Sequence, residues 1–537
     1  MKKVGWNSLC RILPWLVLLA AYLFSVGIFA LYGSHNLDAD MSSEMILADL
    51  LNEEGKLLTE NWYYSTELRV VSPVPAYQLG LLLFDSWHHA RTFGLALVLA
   101  GVIAAFVFMM RKAGYSAQTG AFAAAVFCLP FSKFHAFLFA HGAFYTAYFI
   151  VSCLVIGLVI DKCSHREWLR GIVLILLGFV SGMSGVRMPM QLGVPLMAAC
   201  AIALFGAARE AKTYKALLHT RQMQIFARTG VMLAAMFGGY LLNDKVFKRI
   251  YSFVSFSSTK TREVDIQRIM IQIEDMFAYF GYKPEQYLIS GYGLVCMAAM
   301  LVVPLMIASL IMLLQDKQKM LTLEERMIPL FTACAVVQGL LINAVAGTDG
   351  DRVYELAYFM TGLLFMAAST FIVLEKMKCR LAGMRTAAML VLVSVFVFQS
   401  GTFIRNNYRS SKANYEDFAD WAVENGYEFG VATFWNANHL TEVTDGKLEM
   451  YIIQDWVHDH LMTSLQKKEH LKTFPEGKVV VFADHIQHTD AVPCADESRL
   501  VYEGSAGRGY HYDSLQEVMD IQKEFRRELL EQRSEGQ

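Results

Sequence analysis

Asp38-Ala39-Asp40-Met41-Ser42-Ser43-Glu44 follows closely on the first long apolar stretch of the chain, residues 13–31. Its reading decides the fold. About 20 apolar residues suffice to cross a bilayer as a helix, and three carboxylates just beyond them are costly near a low-dielectric boundary unless something uses them. Lys2, Lys3 and Arg11 precede the stretch, and no small-residue cleavage site closes it. It therefore reads as an uncleaved signal anchor, with chemistry expected at the outer membrane face.

Working outward, composition points the same way. Of the 537 residues, 55% are hydrophobic and 18% charged, with a mean hydropathy of +0.36. Soluble domains average about 45–50% apolar and about 25% charged. The net charge of -2 gives no reason to expect nucleic acid. The nine cysteines show neither a C-x-x-C pair nor metal-ligand spacing, so they read as small core residues.

Further apolar runs lie near 91–110, 117–132, 139–160, 171–187, 191–208, 229–243, 288–314, 327–346, 353–374 and 384–403. With the first, they predict an α-helical polytopic membrane protein of about eleven spans. Basic connections such as Arg111-Lys112, Lys162 with Arg170, and residues 209–228 alternate with acidic or neutral ones. The positive-inside rule then predicts a cytoplasmic N-terminus in a multi-pass cell-membrane protein. It leaves residues 404–537 outside as a small α/β domain, apart from a membrane domain at 1–403. Strands are expected at 429–434, 449–453, 478–482 and 500–502, and helices at 415–425 and 514–531. Outer loop 33–90 should carry a helix after Asp40, with Met41, Met45, Ala48 and Leu51 on one face, lying along the membrane surface. Loop 244–287 is mixed in charge, and Ile266, Met270, Ile273, Phe277 and Phe280 recur at helical spacing, predicting an amphipathic helix on the membrane.

The candidate chemistry sits at the outer ends of these spans. Asp40 is either the N-cap of its helix, a position that favours Asp, or a free carboxylate if Asp38 or Ser42 caps instead. The stretch Asn61-Trp62-Tyr63-Tyr64-Ser65-Thr66-Glu67-Leu68-Arg69 is either an interfacial anchor or a sugar-binding wall made of Trp62, Tyr63, Tyr64 and Glu67. Arg69 could grip a phosphate in bidentate fashion or pair with Glu67. Arg187, in Ser184-Gly185-Val186-Arg187, and Arg352, in Asp349-Gly350-Asp351-Arg352, sit in short outer turns. Boundary arginines usually serve a partner, either a lipid-linked phosphate or a neighbour such as Asp351. His135 and His141 are read as structural residues or as hydrogen-bond donors at that face.

In this layout the chain resembles the GT-C superfamily of integral-membrane glycosyltransferases, in a bacterial branch. The resemblance rests on the first span, the outer motif Leu37-Asp38-Ala39-Asp40-Met41, the helix after it and the Trp62-Tyr63-Tyr64 stretch. These enzymes often carry Glu where Met41 stands. The Arg352-Val353-Tyr354 turn and the tail string Thr433-Phe434-Trp435-Asn436-Ala437-Asn438 also fit. The resemblance implies transfer of a sugar from a polyprenyl-phosphate donor to a glycan, lipid or protein acceptor. Asp40 would be the general base, with Asp38 as the second candidate, and Arg187, Arg352, Arg69 and His141 would hold the donor phosphate. A divalent cation on Asp38 and Glu44 is compatible with hard oxygen ligands but is not demanded.

Two other classes stay open at this stage. A transporter or lipid flippase would place ionisable groups near the bilayer midplane and often show paired halves. A non-catalytic cell-envelope assembly protein would need only ordinary packing residues in its membrane part.

Overall fold

A computed structural model describes residues 6–162, 166–211, 213–253, 260–261, 266–317, 319–347, 353–377, 382–408, 415–454, 456, 460–485 and 492–535. A helix coincides with each of the eleven expected spans, but they are not equal. Among the described residues eight helices are long and apolar enough to cross a membrane. A ninth crossing arises if Ala117–Cys128 and Lys133–Ala140, bent by 97°, count as one span. Thr146–Ile160 has 15 residues, and at 1.5 Å per residue covers about 22 Å of a hydrocarbon core about 30 Å thick. Glu167–Met183 is similarly short and carries Glu167 and Arg170 at its start. The count of eleven full spans is therefore not confirmed.

The bundle sorts its faces by spacing. On the first helix Ile12, Leu16, Leu19 and Leu23 are exposed, whereas Leu18, Ala21, Ser25 and Phe29 are buried. The outward set recurs every three or four residues and faces where lipid would lie. Leu356–Lys376 is almost wholly enclosed by the other helices and forms the centre of the bundle. The sharp bend after Cys128 comes from Pro130, which cannot donate the next helical hydrogen bond. Ser132 restarts the helix: its Oγ accepts from the His135 N–H (3.1 Å) and donates to the Tyr279 carbonyl (2.6 Å).

Two helices differ in setting from the sequence expectation. Ala39–Glu54, expected with one apolar face towards the membrane, is instead buried in protein over most of its length. Met45, Ile46, Leu47, Ala48, Leu50 and Leu51 wrap apolar surface around the whole cylinder, and a helix apolar on all sides belongs in a core. The core here is supplied by the Val74–Leu81 helix on one side and the Phe434–Val443 helix on another. Ile266–Tyr279 keeps Ile266, Met270 and Ile273 exposed, while Gln272, Asp275, Met276 and Tyr279 turn inward. Gln267 and Glu274 are exposed beside the apolar set, so the outward face is mixed, as in a helix at a membrane interface. Phe280, expected on the membrane face, instead stacks on Phe131 in the core (5.8 Å between centroids).

Beyond the Ala382–Asn407 helix lies a five-stranded sheet, in the order Glu449–Ile453, Phe429–Thr433, Val479–Asp484, Gly507–Tyr512, Leu500–Glu503. The first three strands are parallel and the last two antiparallel. Gly507–Tyr512 is the strand the sequence did not suggest, because its two glycines weaken the β signal.

This α/β region is bolted to the bundle. Arg91, fully buried, donates from Nε to Glu442 Oε1 (2.5 Å) and from Nη2 to Glu442 Oε2 (2.9 Å) and the Met41 carbonyl (2.8 Å). Asp445 Oδ1 accepts from the Trp87 N–H (2.7 Å), and His439 Nδ1 lies 3.0 Å from the Leu37 carbonyl. Trp62–Tyr63 forms a short antiparallel ladder with Gln466–Lys467. Leaving either partner of a buried ion pair alone costs about 3–5 kcal/mol, so the attachment holds the residues around Asp40 in a fixed frame.

Candidate active site

One cavity of about 450 Å³ opens at the end of the bundle covered by the α/β region. It is lined by Asp38 and Asp40 from the helix start, Ser65, Thr66 and Arg69 from the following loop, and Arg187 from a distant turn. Lys133, Phe134, Phe137 and Leu138 come from the bent helical pair, Phe144 and Tyr145 from the turn after it, and Trp435 from the α/β region.

The helix start separates the two aspartates by role. Asp38 is the N-cap, its Oδ1 accepting from the Met41 N–H at 2.8 Å. Asp40 sits in the first turn, and its carboxylate takes no protein hydrogen bond among the described residues. Capping by Asp38 thus leaves Asp40 free to line the cavity. Both carboxyls are raised above their ordinary value. Burial is the first cause for each; for Asp38, pushed up to about 7, the neighbouring Asp40 charge adds to it, while for Asp40 the Arg69 charge works against it.

Each guanidinium on the cavity has an acid behind it. Arg69 Nη1 donates to Glu44 Oε1 at 2.6 Å, and its guanidinium lies 5.5 Å from the Phe144 ring centroid. Glu44 is buried and raised by that burial, with Arg69 opposing. Arg187 Nε lies 2.8 Å from Glu67 Oε1, and its guanidinium sits between the rings of Tyr145 (4.7 Å) and Tyr358 (4.6 Å). Tyr148 Oη also donates to Glu67 Oε1 (3.4 Å). The turn that carries Arg187 needs Gly185, whose φ of +89° is a conformation other residues rarely adopt. Ser184 Oγ accepts from the Val71 N–H at 3.0 Å and ties this turn to the Arg69 loop. Two π-helical segments, Ala136–Ala140 and Pro189–Gly193, flank the cavity, a distortion often found at functional sites.

Of the sequence candidates, the structure brings together Asp38, Asp40, Arg69 and Arg187, and among the described residues it leaves the others off the cavity wall. Arg352 lies outside the described residues. Trp62 and Tyr64 are buried in the core beneath the Ala39–Glu54 helix, with Tyr64 Oη donating to the Thr59 carbonyl. Tyr63 belongs to the ladder and lies under Lys468. The expected sugar wall is therefore packing: in a loop held between the α/β region on one side and Ser252 on the other, large aromatics fill volume. Glu67 faces Arg187 rather than the cavity, and Arg69 pairs with Glu44 rather than Glu67. His141 is fully enclosed, its Nδ1 against Tyr408 Oη and its Nε2 3.2 Å from Ser25 Oγ. It fastens the first helix to the end of the Ala382–Asn407 helix region, away from the cavity. His135 is likewise structural, bonded to Tyr279 Oη (2.9 Å) and the Phe127 carbonyl (3.0 Å).

Among the described residues no three His, Cys, Asp or Glu side chains gather as metal ligands. Glu44 gives one carboxylate oxygen, Oε1, to Arg69, and no third His, Cys, Asp or Glu joins the Asp38–Glu44 pair among the described residues. Sequence reasoning missed Lys133 and Trp435 on the cavity. The Pro130 break could have pointed to Lys133, whose ammonium has no partner among the described residues. Nothing local marks Trp435.

No family model matches the chain, and no curated protein matches it in sequence. Among solved structures it is similar to ArnT from Cupriavidus metallidurans bound to undecaprenyl phosphate. That likeness has a TM-score of 0.56 and 10% identity, over 95% of this chain and 98% of that one. It is also similar to the Archaeoglobus fulgidus oligosaccharyltransferase in the apo form, at TM-score 0.48 and 12% identity, over 94% of this chain and 75% of that one. At such identities the likeness concerns the fold, and the first of the two carries it. By its helical bundle, its α/β region and a similarity that spans 95% of its length, this chain has the fold of that ArnT structure.

Proposed function

We propose that the protein transfers a sugar from a polyprenyl-phosphate carrier to an acceptor hydroxyl in the cavity that Asp38, Asp40, Arg69 and Arg187 line. The observation that carries this reading is one cavity that holds, together with two acid-backed guanidiniums, a carboxylate taking no hydrogen bond among the described residues. Asp40 accepts the acceptor's hydroxyl proton as its oxygen attacks the anomeric carbon. The bond from that carbon to the phosphate oxygen breaks, its electron pair leaves with the carrier, and the sugar carbon inverts. Arg69 and Arg187 stabilise the charge gathering on the departing phosphate; Arg352 keeps the same expected role from its sequence position. Glu44 and Glu67 aim the two cavity guanidiniums, and the Tyr145 ring holds Arg187 in plane. The apolar side chains Phe134, Phe137 and Leu138 suit the isoprenoid that a lipid carrier brings.

The opposite end of the bundle supports an orientation. Lys112, Lys162, Arg170, Arg221, Arg228 and Lys376 gather there, as the positive-inside rule asks of a cytoplasmic face. The cavity and the α/β region would then be extracytoplasmic. A flippase would carry its ionisable groups nearer mid-bundle, whereas the cavity charges here come from helix ends and loops.

The purified protein, given a panel of polyprenyl-phosphate sugars, should release the free carrier as sugar reaches an acceptor. No release across the panel would remove the transferase reading. Cysteines engineered into the exposed face of the α/β region should label in intact cells; labelling only after permeabilisation would reverse the orientation.

A further inference from the structure

We infer that Trp435, delivered by the C-terminal α/β region, is the face on which the transferred sugar stacks, and so a specificity-determining residue of the cavity. This rests on the transferase reading above.

Trp435 is 64% exposed, although the residues after it, from Asn436 to Glu442, are buried. An indole left open amid a buried helix, on a cavity wall, is available to a ligand. Its position is fixed rather than incidental. Phe434 braces it edge-to-face (5.1 Å, 68°). Asn436 Nδ2 donates to Asp484 Oδ2 (2.7 Å), and the same helix is pinned by Glu442 on Arg91.

The other aromatic rings on the cavity are Phe134, Phe137, Phe144 and Tyr145, and Phe134 packs against the bundle core. Phe144 lies under Arg69 and packs against Phe137, and Tyr145 lies under Arg187. The Trp62-Tyr63-Tyr64 stretch is spent on packing. A sugar ring is amphipathic, with hydroxyls at its edge and C–H groups on its face. The edge can meet Asp38, Ser65 and Thr66, while the face needs an apolar, electron-rich plane, which an indole supplies. Because Trp435 comes from the α/β region and the carboxylates from the helix bundle, the sugar site is complete only when the two are docked.

The test compares binding of sugar-charged and bare polyprenyl phosphate to the full-length protein and to Trp435→Ala, Trp435→Leu and Trp435→Phe, with thermal stability measured alongside. Ring stacking predicts that Trp435→Ala and Trp435→Leu lose roughly tenfold in affinity for the charged carrier. Bare carrier should bind as before, Trp435→Phe should recover much of the loss, and the loss should appear in KM more than in kcat. Equal losses for charged and bare carrier, or for Leu and not Phe in stability alone, would make Trp435 a membrane anchor and overturn the inference. Unchanged affinity for charged carrier in Trp435→Ala, with transfer intact, overturns it while leaving the transferase reading standing. A wild-type protein that neither binds nor consumes any charged carrier overturns that reading itself.

Discussion

Both ends of the helix bundle set arginines beside acids and use them differently. At the end away from the α/β region, three arginines converge on the last carbonyls of Thr146–Ile160. Arg170 Nη1, Arg221 Nη2 and Arg228 Nη1 donate to the Asp161 carbonyl at 2.9, 2.7 and 2.9 Å. Lys112 takes the Asp161 carboxylate (2.9 Å), and Glu324 takes Arg221 and Lys162. Cations at a helix C-terminus neutralise its orphan carbonyls. A cavity of about 370 Å³ does lie at this end, but its walls are mostly apolar and its one carboxylate, Asp316, is bonded to Arg326. At the cavity end the arginines are instead backed from behind by Glu44 and Glu67, and Asp40 has no protein donor among the described residues. The difference teaches that a boundary arginine is informative only through where its acid partner sits: in front, and the charge is consumed; behind, and it is aimed.

The largest test of that contrast is Asp40→Asn. The cap belongs to Asp38, so the substitution should leave the melting temperature unchanged while transfer falls by roughly 10²–10⁴-fold, the usual worth of a general base. Asp38→Asn should keep the cap, since Asn caps about as well as Asp, and should cost less activity. Near-normal transfer in Asp40→Asn would move the base to Asp38.

Next in size is a matched pair of arginine deletions. Arg187→Ala should lower kcat by about 10²–10³-fold, as loss of one stabilising donor does. Arg228→Ala, at the other end, should leave kcat intact and cost about 1 kcal/mol of stability, a usual value for a point substitution. Equal effects on rate would erase the distinction between the two ends.

The smallest effect is on pH dependence. Asp38 keeps its proton to about pH 7 in the folded protein because burial and Asp40 oppose its charge. The unfolded chain releases that proton near the ordinary carboxylate value, so this group favours folding below that value and progressively less as pH rises towards 7. For the reaction the sign is opposite: the base, Asp40, must be deprotonated and burial raises it, so kcat/KM should climb through an acid limb displaced above that of an exposed aspartate, with Asp38 titrating alongside near pH 7. In Asp40→Asn the neighbouring negative charge is gone, and the Asp38 limb should move to lower pH. A limb that stays in place would show that the two carboxyls do not share the site.

Much of this was legible in the chain. Runs of apolar residues longer than a bilayer is thick, the acid-rich motif after the first of them, and the glycine turn before Arg187 each carry their reason locally, and the helices and most strands follow. The span count was not legible, because Pro130 and the short Thr146–Ile160 helix blur what counts as a crossing. Nor was the placement of the aromatics. Trp62 and Trp435 look alike as residues, yet one is sealed in a core and the other stands open on the cavity.

What the sequence by itself determined is therefore the membrane class, the periodic faces of its helices and the carboxylate at the start of the Ala39–Glu54 helix. These depend on transfer free energies and spacing within one segment. Tertiary structure alone decided that Asp38 caps while Asp40 stays free, that Glu44 and Glu67 stand behind the arginines, and that the α/β region closes the cavity with Trp435. Each of those is a choice among partners tens to hundreds of positions apart, or between neighbours a few residues apart. Long-range pairing and burial set the backing of the arginines and the closure by Trp435, while the cap is the contact of Asp38 with the Met41 N–H that folding of the helix start selects.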